Sequence, residues 1–371
     1  MNKKTMGATV IVICLVGIAY FVWNNLEDGA FRNLSLRGAA SSKALCPSAF
    51  SPVMAAGPYY KGELLDAHLH LPVVSKAVAE IGAEIGQPCP VWDDALSLPY
   101  LHCLFGREGT TRAYGFHLLT KYSVTTEVKR AKEIEEQYPG MIVHFLMPAM
   151  FGPAINPDVS AIRKALENNP GLFHGMGELK MYDGKSPDDP YVLELLELAR
   201  EYKLIVMMHP FNDHKAAVEK IVRQYSDVTF LFHGIDYIRE KGDGGVRDNR
   251  NWLKKLIANN DNVYYSIDGG LPFFGWLERH MGIAVPKEES LPYAKSKFGF
   301  YLEQDIGRYK EMIEMYPNRF LRGTDRQFLP HYDKEVSALM EEYSRAFIAR
   351  LAPSVQERFA HTNAEKLLEM R

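Results

Sequence analysis

The chain has 371 residues, 47% of them hydrophobic, and its 43 basic and 46 acidic residues leave a net charge of −3. Both signs are mixed along the chain, so no basic footprint for nucleic acid is present. Its four cysteines are few. Cys89 and Cys103 flank a Pro- and aromatic-containing stretch, and read either as a disulfide, if the domain is exported, or as two buried thiols.

Lys3 and Lys4 precede an uncharged, largely apolar run over residues 6–23, and Glu27 and Asp28 follow it. As a helix at ~1.5 Å per residue the run reaches ~27 Å, near the ~30 Å hydrocarbon core of a bilayer. The flanking charges keep the N-terminus cytoplasmic and export the remainder. The run ends on bulky Tyr20-Phe21-Val22-Trp23, which favours an uncleaved anchor over a signal peptide with its small-residue cleavage site. The expected organisation is a membrane anchor over 1–24, a linker rich in Ser, Ala, Gly and Asn over 25–60, and one domain over 61–371. That domain would lie on the extracytoplasmic side, periplasmic or extracellular.

From residue 64 onward, short apolar runs alternate with amphipathic stretches. Strands are expected at 64–70, 114–119, 141–147, 176–181, 204–208, 229–232, 263–267 and 320–321. Helices are expected at 75–85, 126–137, 159–167, 191–202, 216–225 and 252–258, with Asp158 and Asn212 as N-caps. Stretches 87–109, 235–251 and 270–299 read as insertions carrying no motif. Eight strands with helices between most of them is the count of a (β/α)8 TIM barrel, an α/β fold.

Active-site residues of such a barrel sit at the carboxyl ends of the strands. The first strand ends Asp66-Ala67-His68-Leu69-His70. By strand alternation Asp66, His68 and His70 would share one face. The fourth strand carries Glu178 and Lys180, the fifth ends at His209, the sixth at His233, and the eighth at Asp325-Arg326. Imidazoles and carboxylates of this kind hold Zn²⁺ or a similar borderline ion while leaving a position for water. A neighbouring carboxylate can then take that water's proton, and Asp325 is the natural base. Lys180, Arg322 and Arg326 are placed to bind a substrate carboxylate, although structural pairing suits Arg322 better. His144 and His174 fall inside or just before strands and read as core residues. His102 and Trp92 would reach the site only from the first insertion, and Phe273, Phe274 and Trp276 only from the last.

These strand ends, in this order, resemble the amidohydrolase superfamily of metal-dependent barrel hydrolases. Phe320-Leu321-Arg322-Gly323-Thr324-Asp325 is similar to the last strand of its amidohydrolase 2 branch, Asn262-Val263-Tyr264-Tyr265 to that branch's seventh strand, and Asn363-Ala364-Glu365-Lys366-Leu367-Leu368 to its closing helix. The resemblance implies that His68 and His70 bind a first metal, with Asp325 as ligand and proton acceptor. His209 would be a further ligand, and His233 a ligand or an acid/base group. Gly177-Glu178-Leu179 is similar to the fourth strand of TatD-type deoxyribonucleases, where the Glu bridges two metals. The metal count, one divalent ion or two with zinc the expected species, stays open at this point. Lys180 as a carbamylated lysine is the alternative at that strand.

The implied activity is hydrolysis of an amide, ester or lactone bond in a small molecule by metal-activated water. A TatD-like phosphodiesterase, or a decarboxylase or hydratase of the same branch, is the alternative. A barrel kept only as a binding protein would hold no metal. The expected partners are a small-molecule substrate, no nucleic acid, and the membrane through the N-terminal anchor. The sequence leaves open a homo-oligomer.

Overall fold

A computed structural model describes residues 50–54, 57–76, 78–80, 90–94, 96–181, 185–210, 214–233, 248–268, 287–327 and 329–370. The expected anchor at 6–23, the N-cap Asn212, and Phe273, Phe274 and Trp276 lie outside these residues. Among the described residues no helix is long and apolar enough to cross a membrane.

The strands are β1 (Leu64–His70), β2 (Thr110–Leu119), β3 (Ile142–Pro148), β4 (Phe173–Lys180), β5 (Ile205–His209), β6 (Phe230–Phe232), β7 (Val263–Asp268) and β8 (Phe320–Gly323). They form one eight-stranded sheet in chain order, every neighbouring pair parallel. A parallel bridge between Leu69 and Arg326 joins the last strand back to the first. The Asp325 N–H donates to the His68 carbonyl at 2.9 Å, and the His70 N–H to the Arg326 carbonyl at 3.0 Å. The expected (β/α)8 barrel is therefore present, and its seam closes beside His68 and His70.

Alternation along each strand separates two apolar layers. Leu65, Ala67, Phe116, Phe145, Met207, Leu231 and Leu321 pack together inside the barrel. Leu64, Met176, Leu179, Val206, Met208, Phe230 and Phe320 pack outward against the helices. Strands covered on both faces in this way read as near-continuous apolar runs.

Bulges on β1 and β4 break the alternation close to the strand ends that matter for the site. On β1, Asp66 pairs with Ala113 and Leu69 with Gly115, three residues against two. On β4, Met176 pairs with Val206 and Leu179 with Met208, again three against two. Each is a β-bulge, and an extra residue in a strand re-aims the side chains that follow it. The expectation that Asp66 shares a face with His68 and His70 is corrected here. The bulge separates them, leaving Leu65 and Ala67 inside and Leu69 outside against the first helix.

The helices are α1 (Leu98–Glu108), α2 (Val124–Gln137), α3 (Val159–Glu167), α4 (Pro190–Glu201), α5 (Lys215–Gln224), α6 (Asp248–Asn259), α7 (Lys287–Met315), α8 (Lys334–Ile348), α9 (Pro353–Glu357) and α10 (Asn363–Glu369). Helix α1 occupies the second half of a stretch expected to be an insertion. Ser97 caps it by accepting from the Tyr100 N–H, a proline sits in its first turn, and Gly109 ends it in the left-handed conformation, a combination that starts and stops helices. Helix α7 likewise begins inside the expected 270–299 insertion. Asp158 stands at the N-cap of α3 without a side-chain hydrogen bond there.

The last part of the expected linker is fastened down. Val53 and Met54 donate their N–H groups to Glu342 of α8 at 2.9 and 2.8 Å, and the Tyr59 hydroxyl donates to the same carboxylate at 2.6 Å. Arg345 of α8 donates to the carbonyls of Tyr60 and Gly62. Cys103 is disulfide-bonded, and Cys89 lies outside the described residues.

His144 is buried, as expected of a core residue. Its ring is hydrogen-bonded to His117 at 2.9 Å beneath α2, with Glu127 of α2 3.5 Å from His117 on the other side. Burial, together with the nearby Arg130 charge, pushes His117 down to about 3. Burial pushes Glu127 up to about 8, against the Val74 N–H and Arg130, which favour its charged form.

Candidate metal centre

Seven side chains from the ends of six strands, β1, β4, β5, β6, β7 and β8, meet inside the C-terminal mouth of the barrel. Nε2 of His68 and Nε2 of His70 stand 3.0 Å apart. Asp325 Oδ1 lies 3.1 Å from His70 Nε2 and 3.5 Å from His68 Nε2. Glu178 Oε2 is 3.5 Å from His70 Nε2 and 3.9 Å from His68 Nε2. Its other oxygen is 2.6 Å from His209 Nδ1 and 2.9 Å from His233 Nε2. Asp268, at the end of β7, pairs with His233 Nδ1 and lies 3.4 Å from His68 Nδ1.

Both bulges serve this convergence. The β1 bulge turns His68 and His70 inward, and the β4 bulge does the same for Glu178. Gly177 makes the second possible: its φ is +120°, and a Cβ there would stand 2.1 Å from the Met207 carbonyl oxygen. Any other residue would clash with β5.

The electrostatics follow from burial and from opposite charges held close. Burial favours the neutral form of His70, but Asp325 and Glu178 outweigh it and hold the ring up to about 9. For His233 burial is likewise outweighed, by Asp268 and Glu178, and its pKa stands well above the ordinary value. Burial, reinforced by the Lys180 and His233 charges, takes His209 down to about 4. Burial would raise the Glu178 carboxyl, yet His233, Lys180 and the hydrogen bonds of His209 and His233 keep it well below the carboxylate range. Asp325 is held low in the same way by His68, His70 and His233.

The donor set fits a divalent ion. Three groups, His68–His70–Glu178, Glu178–His209–His233 and His68–His233–Asp268–Asp325, each have ligand atoms within 4.8 Å of one another. Two nitrogens bound at ~2.1 Å to one tetrahedral ion would stand ~3.4 Å from each other, close to the 3.0 Å between His68 and His70. Mixed imidazole and carboxylate donors suit zinc, manganese and similar ions.

The structure thus brings together His68, His70, Glu178, His209, His233 and Asp325. Lys180 stands beside His209 in the β4–β5 register, half-buried, close enough for Glu178 and His209 to feel its charge. Arg326 is placed differently. Its side chain is buried at 1% exposure, and its guanidinium donates to Glu108 of α1 at 2.9 Å. It forms a structural ion pair instead of the expected substrate contact. Arg322 is also buried, with Asp66 and Glu108 the charges that favour its ionised form.

Asp66 ties β1 to β8 by accepting from the Thr324 N–H at 2.9 Å and the Thr324 hydroxyl at 2.6 Å. His102 stacks on Tyr138, ring centroids 4.5 Å apart. Tyr138 precedes β3, so His102 belongs to the opposite end of the barrel. Arg130 stacks over Trp92 at 4.4 Å, a contact between loop and helix. Asp268 was missed from sequence because the seventh apolar run was read as ending at Ile267. The signal was present in Ser266-Ile267-Asp268, a carboxylate at a strand end. His331 was also passed over. It is buried just after β8, within the field of Asp325 and His70, and burial pushes it down to about 3.

No protein-family model matches the sequence, and no curated protein matches it. Solved structures do match the fold. A probable 2-pyrone-4,6-dicarboxylic acid hydrolase from Acinetobacter baumannii with citric acid bound superposes with a TM-score of 0.54 at 14% identity, over 83% of this chain and 99% of that one. An amidohydrolase from Burkholderia multivorans, solved with bound zinc, gives 0.53 at 14% identity, over 84% of this chain and 100% of its own. An amidohydrolase II structure gives 0.50 at 13%, over 83% and 100%. The last two of these structures are amidohydrolases, and the likeness at this identity is one of fold.

Proposed function

We propose that this chain is a metal-dependent hydrolase of the amidohydrolase superfamily, amidohydrolase 2-like, acting on an amide, ester or lactone bond of a small molecule. The observation that carries the reading is the convergence of His68, His70, Glu178, His209, His233 and Asp325 within the C-terminal mouth. The zinc-bound amidohydrolase with the same fold supports a divalent ion, with zinc the first candidate. When bound, such an ion would polarise the scissile carbonyl and lower the pKa of a water from ~15.7 toward ~7.

The chain's own residues set the rest. Asp325 stays ionised beside His68 and His70 and can accept a proton, then return it to the leaving group. His233, held between the Asp268 and Glu178 carboxylates, offers its Nε2 toward the centre as a ligand. Lys180 offers a cation at the rim for a substrate carboxylate. The barrel wall, Phe116 against both His68 and His70, keeps the floor of the site apolar.

Phosphodiester cleavage is the second reading, favoured by the way Glu178 offers one oxygen to each half of the site. We place the domain outside the cytoplasm on the strength of the N-terminal apolar run and its flanking charges.

The test is metal analysis of the purified full chain after metal-supplemented expression, followed by a panel of amides, esters, lactones, phosphodiesters and carboxylic acids. At least one equivalent of a transition metal and turnover of the first three classes are expected. Joint replacement of His68 and His70 by Ala should remove metal and activity while circular dichroism stays unchanged. Less than one equivalent in the wild type would sink the catalytic reading, and carbon dioxide release without hydrolysis would replace it with decarboxylation.

A further inference from the structure

Asp268 is 2% exposed and divides its two oxygens between two imidazoles. Oδ1 lies 3.4 Å from His68 Nδ1 and accepts from the Ser266 hydroxyl at 3.0 Å. Oδ2 meets His233 Nδ1. The arrangement needs an empty space on β8, which Gly323 provides: a Cβ there would stand 2.2 Å from Asp268 Oδ1 and 2.5 Å from Ser266 Oγ. The far nitrogens of the same two rings face the centre. His68 Nε2 is 3.0 Å from His70 Nε2, and His233 Nε2 is 2.9 Å from Glu178 Oε1.

A neutral imidazole has one nitrogen with a free lone pair, and the hydrogen bond made by the other nitrogen decides which one it is. We infer that Asp268 is a positioning residue that fixes the tautomer of both rings and aims both Nε2 atoms into the site. It pairs with His233 Nδ1 and, 3.4 Å from a buried His68 Nδ1 that has no other hydrogen-bond partner among the described residues, favours the proton on that nitrogen too. One carboxylate thereby orients ligands from β1 and β6 at once. The inference rests on the metal-dependent reading above, and it gives Asp268 no contact with substrate.

An asparagine at this position has one acceptor and one donor where aspartate has two acceptors. It can satisfy one ring only. Its NH2 would face the N–H of the other ring, whose proton must then move to Nε2, blocking that atom as a ligand. With Ser266 donating to Oδ1, His233 is the ring expected to be lost.

The experiment is X-ray absorption on the zinc-loaded full chain, comparing wild type with Asp268→Asn, together with zinc affinity by chelator competition. The variant should show one fewer imidazole in its outer-shell scattering, with the number of light-atom ligands kept by water. Its zinc affinity should fall ~10–100-fold, the usual cost of removing a partner that orients a ligand. Unchanged imidazole number and affinity would overturn the proposal. So would loss of a light-atom ligand with all imidazoles retained, because Asp268 would then bind the ion directly.

A second measurement needs no Asp268 variant. Histidine-labelled wild type, read by nitrogen-15 NMR with and without zinc, should show Nδ1–H signals that His68→Gln and His233→Gln each remove one at a time. Absence of either signal overturns the inference even if Asp268→Asn does not fold. A wild type that takes no zinc would defeat the functional proposal, while the Nδ1–H signals would still decide this one.

Discussion

Glu178 holds His209 by a 2.6 Å contact through Oε1, while its second oxygen faces His70 at 3.5 Å. The carboxylate therefore belongs to both halves of the centre, His68–His70 and His209–His233. If two ions bind, Glu178 is the group they share. Saturating metal should then give two equivalents in wild type and one in Glu178→Ala, measured by plasma mass spectrometry after gel filtration. One equivalent in both proteins would restrict the site to a single ion held without Glu178, and two in both would remove Glu178 as the shared group.

Metal uptake should depend steeply on pH. His70 carries a proton up to about 9 because Asp325 and Glu178 outweigh its burial, and a ligand imidazole must be neutral. Below that pKa each ion bound displaces at least one proton, so affinity should rise about tenfold per pH unit from 6 to 9. Calorimetry in buffers of differing ionisation enthalpy reads the protons directly. No release at pH 7 would contradict the protonated His70.

Arg326→Met should weaken the fold more than the chemistry. It takes from buried Glu108 its 2.9 Å guanidinium partner and leaves Arg107 at 3.7 Å and the Ser337 hydroxyl, a loss of up to ~3–5 kcal/mol. The midpoint of urea unfolding should fall accordingly, while the KM of the remaining folded enzyme stays within about twofold. A KM rising by tenfold or more at unchanged stability would return Arg326 to substrate binding.

Glu127 predicts a stability effect with a definite sign. Burial raises its folded pKa to about 8, above that of the unfolded chain. Its contribution is complete below about 4.5 and is lost as pH rises through about 8. Glu127→Gln keeps an acceptor for the Val74 N–H but cannot ionise. The melting temperature of the variant, relative to wild type, should therefore climb between pH 5 and pH 8 and then level off. A constant difference across that range would mean Glu127 is already ionised at pH 5.

The candidate site was largely readable because barrel chemistry sits where apolar runs stop, and His70, His209, His233 and Asp325 each follow such a run. What escaped was either one residue beyond a run or dependent on distant partners. Asp268 lies one position past Ile267. The bulge that parts Asp66 from His68 depends on how β1 meets β2, and strict alternation cannot show it. Arg326 stands next to Asp325 in sequence, but Glu108, on a helix from the other end of the chain, determines where its charge goes. Helix α1 carried its signals in Ser97, Pro99 and Gly109, within a stretch whose proline and cysteine content suggested a loop.

The closing hydrogen bonds between β8 and β1 give the centre a history as well as a location. Asp66 and Thr324, 258 residues apart, meet in the same seam that brings Asp325 to His68 and His70. A nascent chain has its two histidines long before Asp325 is made. Only a finished barrel can assemble the full ligand set, so metal content becomes a measure of completed folding.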